Sequence, residues 1–185
     1  MIDKVCLTKE YINGLKSERY SSLDPALLEK TIRAMVLLEE MGSSGVPFIF
    51  IGGTALMLLT QEPKRLSIDL DIIIEDANFD AKEWLNSIVG NDFDRVEVNE
   101  RIHPNLPAKH FKVFYTSEIQ ASSQRNSTHI IVDVLFQDNP YSSLIYSPIT
   151  IPALKHTQTP KAVKTPDLQA ILPDKLSAFA PNTIG

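Results

Sequence analysis

The sequence has little cysteine and no long apolar run. Its 185 residues include one cysteine, Cys6, so no disulfide can form within the chain, which is typical of proteins in a reducing cytoplasm. No apolar stretch is as long as a membrane span requires. The first residues, MIDKVCLTKEYING, also lack the apolar centre of a signal peptide. We therefore expect a cytoplasmic protein that does not cross a membrane.

Basic residues are outnumbered, and several common catalytic motifs are absent. The formal net charge of −5 argues against broad, sequence-independent binding of nucleic acids, which needs clustered lysine and arginine. No phosphate-binding loop of the GxxxxGK[ST] type occurs, which disfavours a P-loop kinase or ATPase. The four histidines lack the spacing of a zinc site, and no Ser–His–Asp arrangement can be identified from their positions.

What remains is the composition of an ordinary globular domain. Hydrophobic residues make up 43% of the chain and charged residues 22%, so a substantial core can form. We expect a single domain over residues 1–185. It divides into an N-terminal helical part (1–47), a catalytic-type core (48–136) and a proline-rich segment that leads to a lysine-bearing helix (137–185).

Hydrophobic periodicity predicts helices and strands in a mixed order. Residues 24–41 form an amphipathic pattern that begins with Asp24 and Pro25, a good N-cap and first-turn pair, and we interpret this helix as scaffold rather than site. Further helices are predicted over 55–60, 80–89 and 167–179, and in the last of these Pro173 must kink the helix, start a new one or divide two short ones. Strands are predicted over 48–51, 68–74, 93–98, 110–115 and 130–136, with a shorter β-like run at 149–151. Because strict βαβ alternation is missing, we predict an α+β fold with a mixed sheet flanked by helices.

The most informative segment reads as strand, glycine turn, helix and strand. A buried strand enters Gly52-Gly53-Thr54, and the second strand carries Asp69 and Asp71. Side chains two residues apart on a strand share a face, and their Cα atoms lie roughly 6–7 Å apart. Two carboxylates so placed can bind a hard cation such as Mg²⁺, and a glycine turn lets backbone N–H groups approach a phosphate. The segment therefore predicts a metal-dependent nucleoside triphosphate site.

Asp133 is the third candidate carboxylate. It lies within the otherwise apolar strand 130–136, where an unpaired charge is costly and normally has a cation or hydrogen-bond donors beside it. If the two strands are neighbours, three carboxylates converge and attract one or two divalent ions. Taken alone, Asp69 and Asp71 are also consistent with a solvent-exposed strand face.

These residues resemble a known family. Gly52-Gly53-Thr54-Ala55-Leu56 followed by Arg65-Leu66-Ser67-Ile68-Asp69-Leu70-Asp71 is similar to the first motif of the AbiEii/AbiGii-type nucleotidyltransferase toxins, in the polymerase-β-like nucleotidyltransferase superfamily. Asp174-Lys175-Leu176-Ser177-Ala178 resembles the lysine-bearing helix of that family. The resemblance implies a nucleotidyltransferase-like fold and transfer of a nucleoside monophosphate from an NTP to an acceptor hydroxyl. It also implies a role in toxin–antitoxin or phage-defence systems, with tRNA ends among the acceptors and a cognate antitoxin as partner.

The resemblance also implies a role for each matching residue. Gly52, Gly53 and Thr54 would face the triphosphate, and Lys175 would reach the phosphates. Arg65 and Ser67 would support the turn or a phosphate; otherwise they are a surface arginine and an ordinary turn residue. Asp69, Asp71 and Asp133 would be the catalytic carboxylates and would bind Mg²⁺ or Mn²⁺.

The chain departs from the family pattern at its end. Members of the family usually continue past the lysine-bearing helix into helices with another acidic residue, whereas this sequence ends at Gly185. We therefore expect the chain to lack the family's C-terminal helical region and to bind nucleotide better than it catalyses transfer. The alternative is a catalytically impaired relative that binds a nucleotide or a protein partner. A glycosyltransferase of the DxD type fits the glycine turn less well.

Overall fold

A five-stranded mixed sheet lies at the centre of the fold. A computed structural model describes residues 1–60, 66–90, 92–99, 107–119 and 128–177, of which residues 174–177 are described by their backbone only. After a short 3₁₀ helix (Lys4–Leu7), the elements are α1 (Lys9–Glu18), α2 (Pro25–Ser43), β1 (Ile49–Ile51), α3 (Gly52–Thr60), β2 (Leu70–Ile74), α4 (Ala81–Ile88), β3 (Arg95–Asn99), β4 (Ala108–Phe114), β5 (His129–Phe136), β6 (Leu144–Pro148), β7 (Ala162–Pro166) and α5 (Leu168–Ser177). The predicted α+β class is confirmed.

The order of the strands differs from their order along the chain. In the main sheet the order is β1-β2-β5-β4-β3, and β6 pairs with β7 in a separate two-stranded sheet. Strands β2 and β5 run parallel, while every other pair in the main sheet is antiparallel. The parallel pairing makes β2 and β5 neighbours although they are far apart in sequence.

The two faces of the main sheet differ in polarity. Along β5, Ile130, Val132, Val134 and Phe136 are buried in the core, and the alternate positions, which include Asp133, are half-buried on the opposite face. This alternation follows from the two-residue period of a strand. Helix α2 contacts β5 and contributes many of its side chains to the same core. The sheet is therefore apolar towards α2, and Asp133 lies on its other side.

Local signals in the sequence account for the helix boundaries. Asp24 caps α2 as predicted, because its carboxylate accepts a hydrogen bond of 2.9 Å from the backbone N–H of Ala26. Asp80 caps α4 in the same way by accepting from the backbone N–H of Glu83 at 3.0 Å. These bonds satisfy donors that a helix leaves unpaired in its first turn.

The proline-rich segment differs from the prediction. The run 149–151, predicted to be β-like, is not a strand; the strands lie on either side of it, at β6 and β7. Ile149 and Ile151 are nevertheless buried, so their apolar character reflects the core rather than a sheet. Pro152 lacks a backbone N–H and cannot continue a ladder. Pro173 lies inside α5, which resolves the predicted interruption in favour of one continuous helix.

None of the helices in the described parts of the chain combines the length and the apolar character needed to cross a bilayer.

Candidate active site

Gly52 forms a sharp turn between β1 and α3 that no other residue type would fit. Its φ angle is +78°, in the left-handed region that glycine adopts without strain. A Cβ atom built on Gly52 would also overlap the carboxylate of Asp71, with Asp71 Cγ only 2.7 Å away. Helix α3 begins at this glycine, earlier than the predicted start at residue 55. The N-terminus of α3 therefore lies directly against Asp71.

Asp71 and Asp133 are adjacent on the half-buried face of the sheet. They are opposite each other in the parallel pairing of β2 with β5, and both are half-buried. Neighbouring strands lie about 4.8 Å apart, so the two carboxylates share a small volume beside Gly52. The structure thus brings together two of the three predicted carboxylates through the pairing that the sequence could only suppose.

Asp69 lies immediately before β2, and α3 is tied to it. The hydroxyl of Thr54 donates a hydrogen bond of 2.5 Å to the backbone carbonyl of Asp69. Thr54 is fully buried, and its side chain joins α3 to the start of β2, while the contact with a triphosphate that the resemblance implies stays a prediction. The Asp69 side chain is half-buried, and its Oδ1 is buried with no hydrogen-bond partner among the described residues.

The electrostatic surroundings leave the charge of Asp69 poorly compensated. Burial raises the pKa of Asp69, and the nearby negative charge of Asp133 raises it further. Lys30 and His129 act in the opposite direction. Burial in turn lowers the pKa of Lys30, which weakens it as a permanent counter-charge. A cation added beside Asp69 would thus relieve an electrostatic cost.

Two residues near the carboxylates were not identified from the sequence. His110 on β4 is opposite Asp133, and its Nδ1 lies 2.7 Å from Asp133 Oδ1. Lys30 belongs to α2, the helix interpreted as scaffold, yet its charge interacts with that of Asp69. Neither residue has a local motif. Only the alternation along β4 indicated its face: Phe111 points into the core, so its neighbour His110 points to the other face of the sheet.

The structure describes the remaining predicted residues only in part. Ser67 is half-buried two residues before Asp69. Arg65 lies outside the described residues. The backbone of Lys175 belongs to α5, and its side chain is outside the description. Helix α5 contacts α3, so the lysine-bearing helix packs beside the helix that begins at Gly52.

The donor set suits a magnesium-type ion only in part. Within the described residues, no three His, Cys, Asp or Glu side chains are grouped closely enough to hold a metal ion by themselves. Mg²⁺, however, usually takes one or two carboxylates and completes its coordination with substrate phosphates and water. The unpaired Asp69 Oδ1 and the adjacent Asp71 and Asp133 fit that incomplete, oxygen-only donor set.

Comparison with known proteins assigns most of the sequence to one protein family. Residues 37–184 match the family described as nucleotidyl transferase AbiEii toxin, type IV toxin–antitoxin system. This match covers well over half of the chain. Among curated proteins, none matches the sequence closely enough to count as a relative.

Two solved structures share the fold. JHP933 from Helicobacter pylori superposes with a TM-score of 0.53 at 17% identity, over 96% of this chain and 60% of that one. MenT4, a nucleotidyltransferase toxin from Mycobacterium tuberculosis H37Rv, superposes with a TM-score of 0.58 at 15% identity, over 94% of this chain and 59% of that one. At such identities the likeness concerns the fold alone. The chain spans less than two thirds of the length of either structure.

Proposed function

The chain belongs to the AbiEii family of nucleotidyl transferase toxins, and from this membership we propose that it is a metal-dependent nucleotidyltransferase. It would transfer a nucleoside monophosphate from an NTP to an acceptor hydroxyl as the toxin of a toxin–antitoxin or phage-defence system. The observation that carries the proposal is the placement of Asp71 beside both Gly52 and Asp133. The turn at Gly52 then brings together a helix N-terminus for phosphate and carboxylates for a cation.

Each part of the pocket has a distinct task in this reaction. The backbone N–H groups at the start of α3 point towards a bound phosphate, because a helix leaves its first donors unpaired. Gly52 lets the phosphate and Asp71 approach the same turn. Asp69, Asp71 and Asp133 would hold the divalent cation, Mg²⁺ or Mn²⁺. When bound, that cation supplies positive charge next to the α-phosphate and the leaving pyrophosphate.

Asp133 is the residue that we assign to the acceptor. A carboxylate oxygen within hydrogen-bond reach of the acceptor hydroxyl can take its proton as the new bond to the α-phosphorus forms. The bond between the α-phosphorus and the bridging oxygen breaks, and pyrophosphate leaves. Positioning and charge neutralisation supply most of the acceleration in phosphoryl-transfer reactions of this kind.

We propose a tRNA end as the acceptor, a cognate antitoxin as partner and the cytoplasm as location.

The first prediction concerns the link between metal and nucleotide. We expect NTP binding to require Mg²⁺ or Mn²⁺, and Asp69→Asn or Asp71→Asn to abolish it while the fold persists, because each change removes a negatively charged oxygen ligand. Calorimetric titration of each NTP, with the metal and with EDTA, measures this. Asp138→Asn is the matched control, since Asp138 is an exposed aspartate beyond the end of β5.

Binding and transfer are tested separately. Transfer of label from an NTP labelled at the α-phosphate to a total tRNA pool, lost in Asp71→Ala, would support the tRNA acceptor. NTP affinity that stays at the metal-loaded wild-type value in the presence of EDTA and in both asparagine variants would refute the metal site. Metal-dependent NTP binding without labelling of any tRNA would instead favour the alternative of a nucleotide-binding relative.

A further inference from the structure

His110 lies in the candidate active site without a role in the mechanism above. A single row of paired residues crosses three strands: Asp71 on β2, Asp133 on β5 and His110 on β4. Because residues in register across a sheet point to the same face, all three side chains lie on the half-buried side. Their polar groups therefore meet at one place rather than being distributed over the sheet.

The contact between His110 and Asp133 is short and partly shielded. The Nδ1–Oδ1 distance is 2.7 Å, within the usual range for a nitrogen donor and a carboxylate. The two side chains are 17% and 27% exposed, so water competes only partly with this hydrogen bond. When the carboxylate is ionised it can only accept, and Nδ1 of His110 is then the donor.

This hydrogen bond has a consequence for the carboxylate. It occupies Oδ1 and restricts rotation of the Asp133 side chain, while no hydrogen bond to Oδ2 is formed by the residues that the structure describes. Asp133 is next to Asp71, and two like charges held close together would otherwise turn away from each other. An imidazole donor also orients the carboxylate without a permanent positive charge, whereas a lysine at the same position would compete with a cation.

We propose that His110 is the positioning residue for Asp133 in the nucleotidyl-transfer site. Through Nδ1 it holds the Asp133 carboxylate in the rotamer that offers Oδ2 to the divalent cation and to the acceptor hydroxyl. The inference rests on the proposed function, since it assigns to His110 the orientation of a carboxylate used in that reaction. Hydrogen-bonded partners of this kind usually determine ligand orientation and change metal affinity when they are removed.

The test compares two replacements of the same histidine. His110→Asn keeps an N–H donor near the position of Nδ1, whereas His110→Leu fills similar space without a donor. We expect the affinity for Mn²⁺ alone, measured by calorimetry without nucleotide, to fall about tenfold or more in His110→Leu and to stay close to wild type in His110→Asn. His110→Gln, which carries its amide farther from the backbone, should behave like His110→Leu and replaces it if that variant fails to fold.

A double-mutant cycle separates positioning from a general structural effect. If His110 acts through Asp133, then His110→Leu should cause no further loss of Mn²⁺ affinity in an Asp133→Asn background. In steady-state labelling, His110→Leu should lower kcat by a larger factor than it changes the KM for NTP. Melting temperatures of all variants establish that the fold persists.

The outcomes distinguish this inference from the proposed function. Equal losses in His110→Leu and His110→Asn, or losses that multiply in the Asp133→Asn background, would overturn the positioning role. Wild-type affinity in His110→Leu would do the same and leave the metal site intact. Absence of Mn²⁺ binding by the wild type itself would overturn the proposed metal site together with this role.

Discussion

At the scale of single residues, Gly52 shows how one position can serve both the fold and the site. The left-handed conformation reverses the chain between β1 and α3, and the missing side chain leaves room for the carboxylate of Asp71. Either requirement alone would favour glycine. Together they make Gly52 the residue at which a substitution should affect stability and ligand binding at the same time.

Gly45 provides a matched control for a prediction about Gly52. Gly45 also has a positive φ angle, +81°, but a Cβ there would meet nothing within 4 Å. We expect Gly45→Ala to lower the free energy of unfolding by about 1 kcal/mol from backbone strain alone. Gly52→Ala should cost more and abolish metal-dependent NTP binding, because it also displaces Asp71. Urea denaturation and calorimetry measure the two effects, and equal costs with NTP binding retained would contradict this account.

At the scale of secondary-structure elements, the site depends on how α3 is held between β1 and β2. The turn at Gly52 sets where α3 begins, and Thr54, one residue beyond Gly53, bonds back to the residue before β2. This bond spans 15 residues of sequence. It keeps the N-terminus of the helix next to the strand that carries Asp71, which is the geometry that a phosphate and a cation need together.

Removal of that bond should loosen the site. In Thr54→Val the shape is preserved, but the carbonyl of Asp69 loses its donor, and we expect a loss of about 1–3 kcal/mol in unfolding free energy with weaker NTP binding. Thr60→Val is the control. The hydroxyl of exposed Thr60 bonds to the carbonyl of Leu56 at 3.0 Å within the same helix, where water can replace it. Its cost should be below about 0.5 kcal/mol, and a similar loss in both variants would argue against the tether.

At the scale of the whole molecule, the N-terminal segment and the proline-rich segment are packed together. Ile2 pairs with His156 in an isolated bridge, and the backbone N–H of Ile2 donates to Glu39 Oε2 at 2.8 Å. Both ring nitrogens of His156 are buried without a hydrogen-bond partner among the described residues. The chain thus buries an ionisable ring where its charged form is poorly tolerated.

This burial predicts a specific pH dependence of stability. Burial lowers the pKa of His156, the charged N-terminus lowers it further, and Glu39 opposes both. The unfolded chain then binds a proton that the folded chain resists, so stability is retained above the ordinary histidine value of 6.5 and falls as the pH drops below it. We expect the unfolding free energy to fall between about pH 7.5 and about pH 5.5 by more in wild type than in His156→Leu.

Urea denaturation at the two pH values measures the fall, and ionisable groups other than His156 cancel when the fall in His156→Leu is subtracted from the fall in wild type. An equal fall in wild type and His156→Leu would show that the histidine binds its proton equally well in the folded and the unfolded chain.

Sequence by itself determined the local features of the protein. Periodicity and turn chemistry were sufficient to predict the two-residue period of β5, the Asp24 cap and the glycines at the turn. Each of these features depends only on neighbours a few residues away. For the same reason the sequence indicated Asp71 and Asp133 as carboxylates on strands, whereas Asp69, also predicted on a strand, lies just before β2. The resemblance to a nucleotidyltransferase family was confirmed by the match over residues 37–184.

Only the tertiary structure decided which of these features meet. The parallel pairing of β2 with β5 places Asp71 opposite Asp133, and the pairing with β4 adds His110. Tertiary packing also brought Lys30 near Asp69, buried the side chain of Thr54 and left residues 149–151 outside any strand. The physical reason is that strand neighbours and buried partners are selected by packing between segments far apart in sequence. A local pattern records that a residue prefers burial or a given face, but not which distant segment covers it.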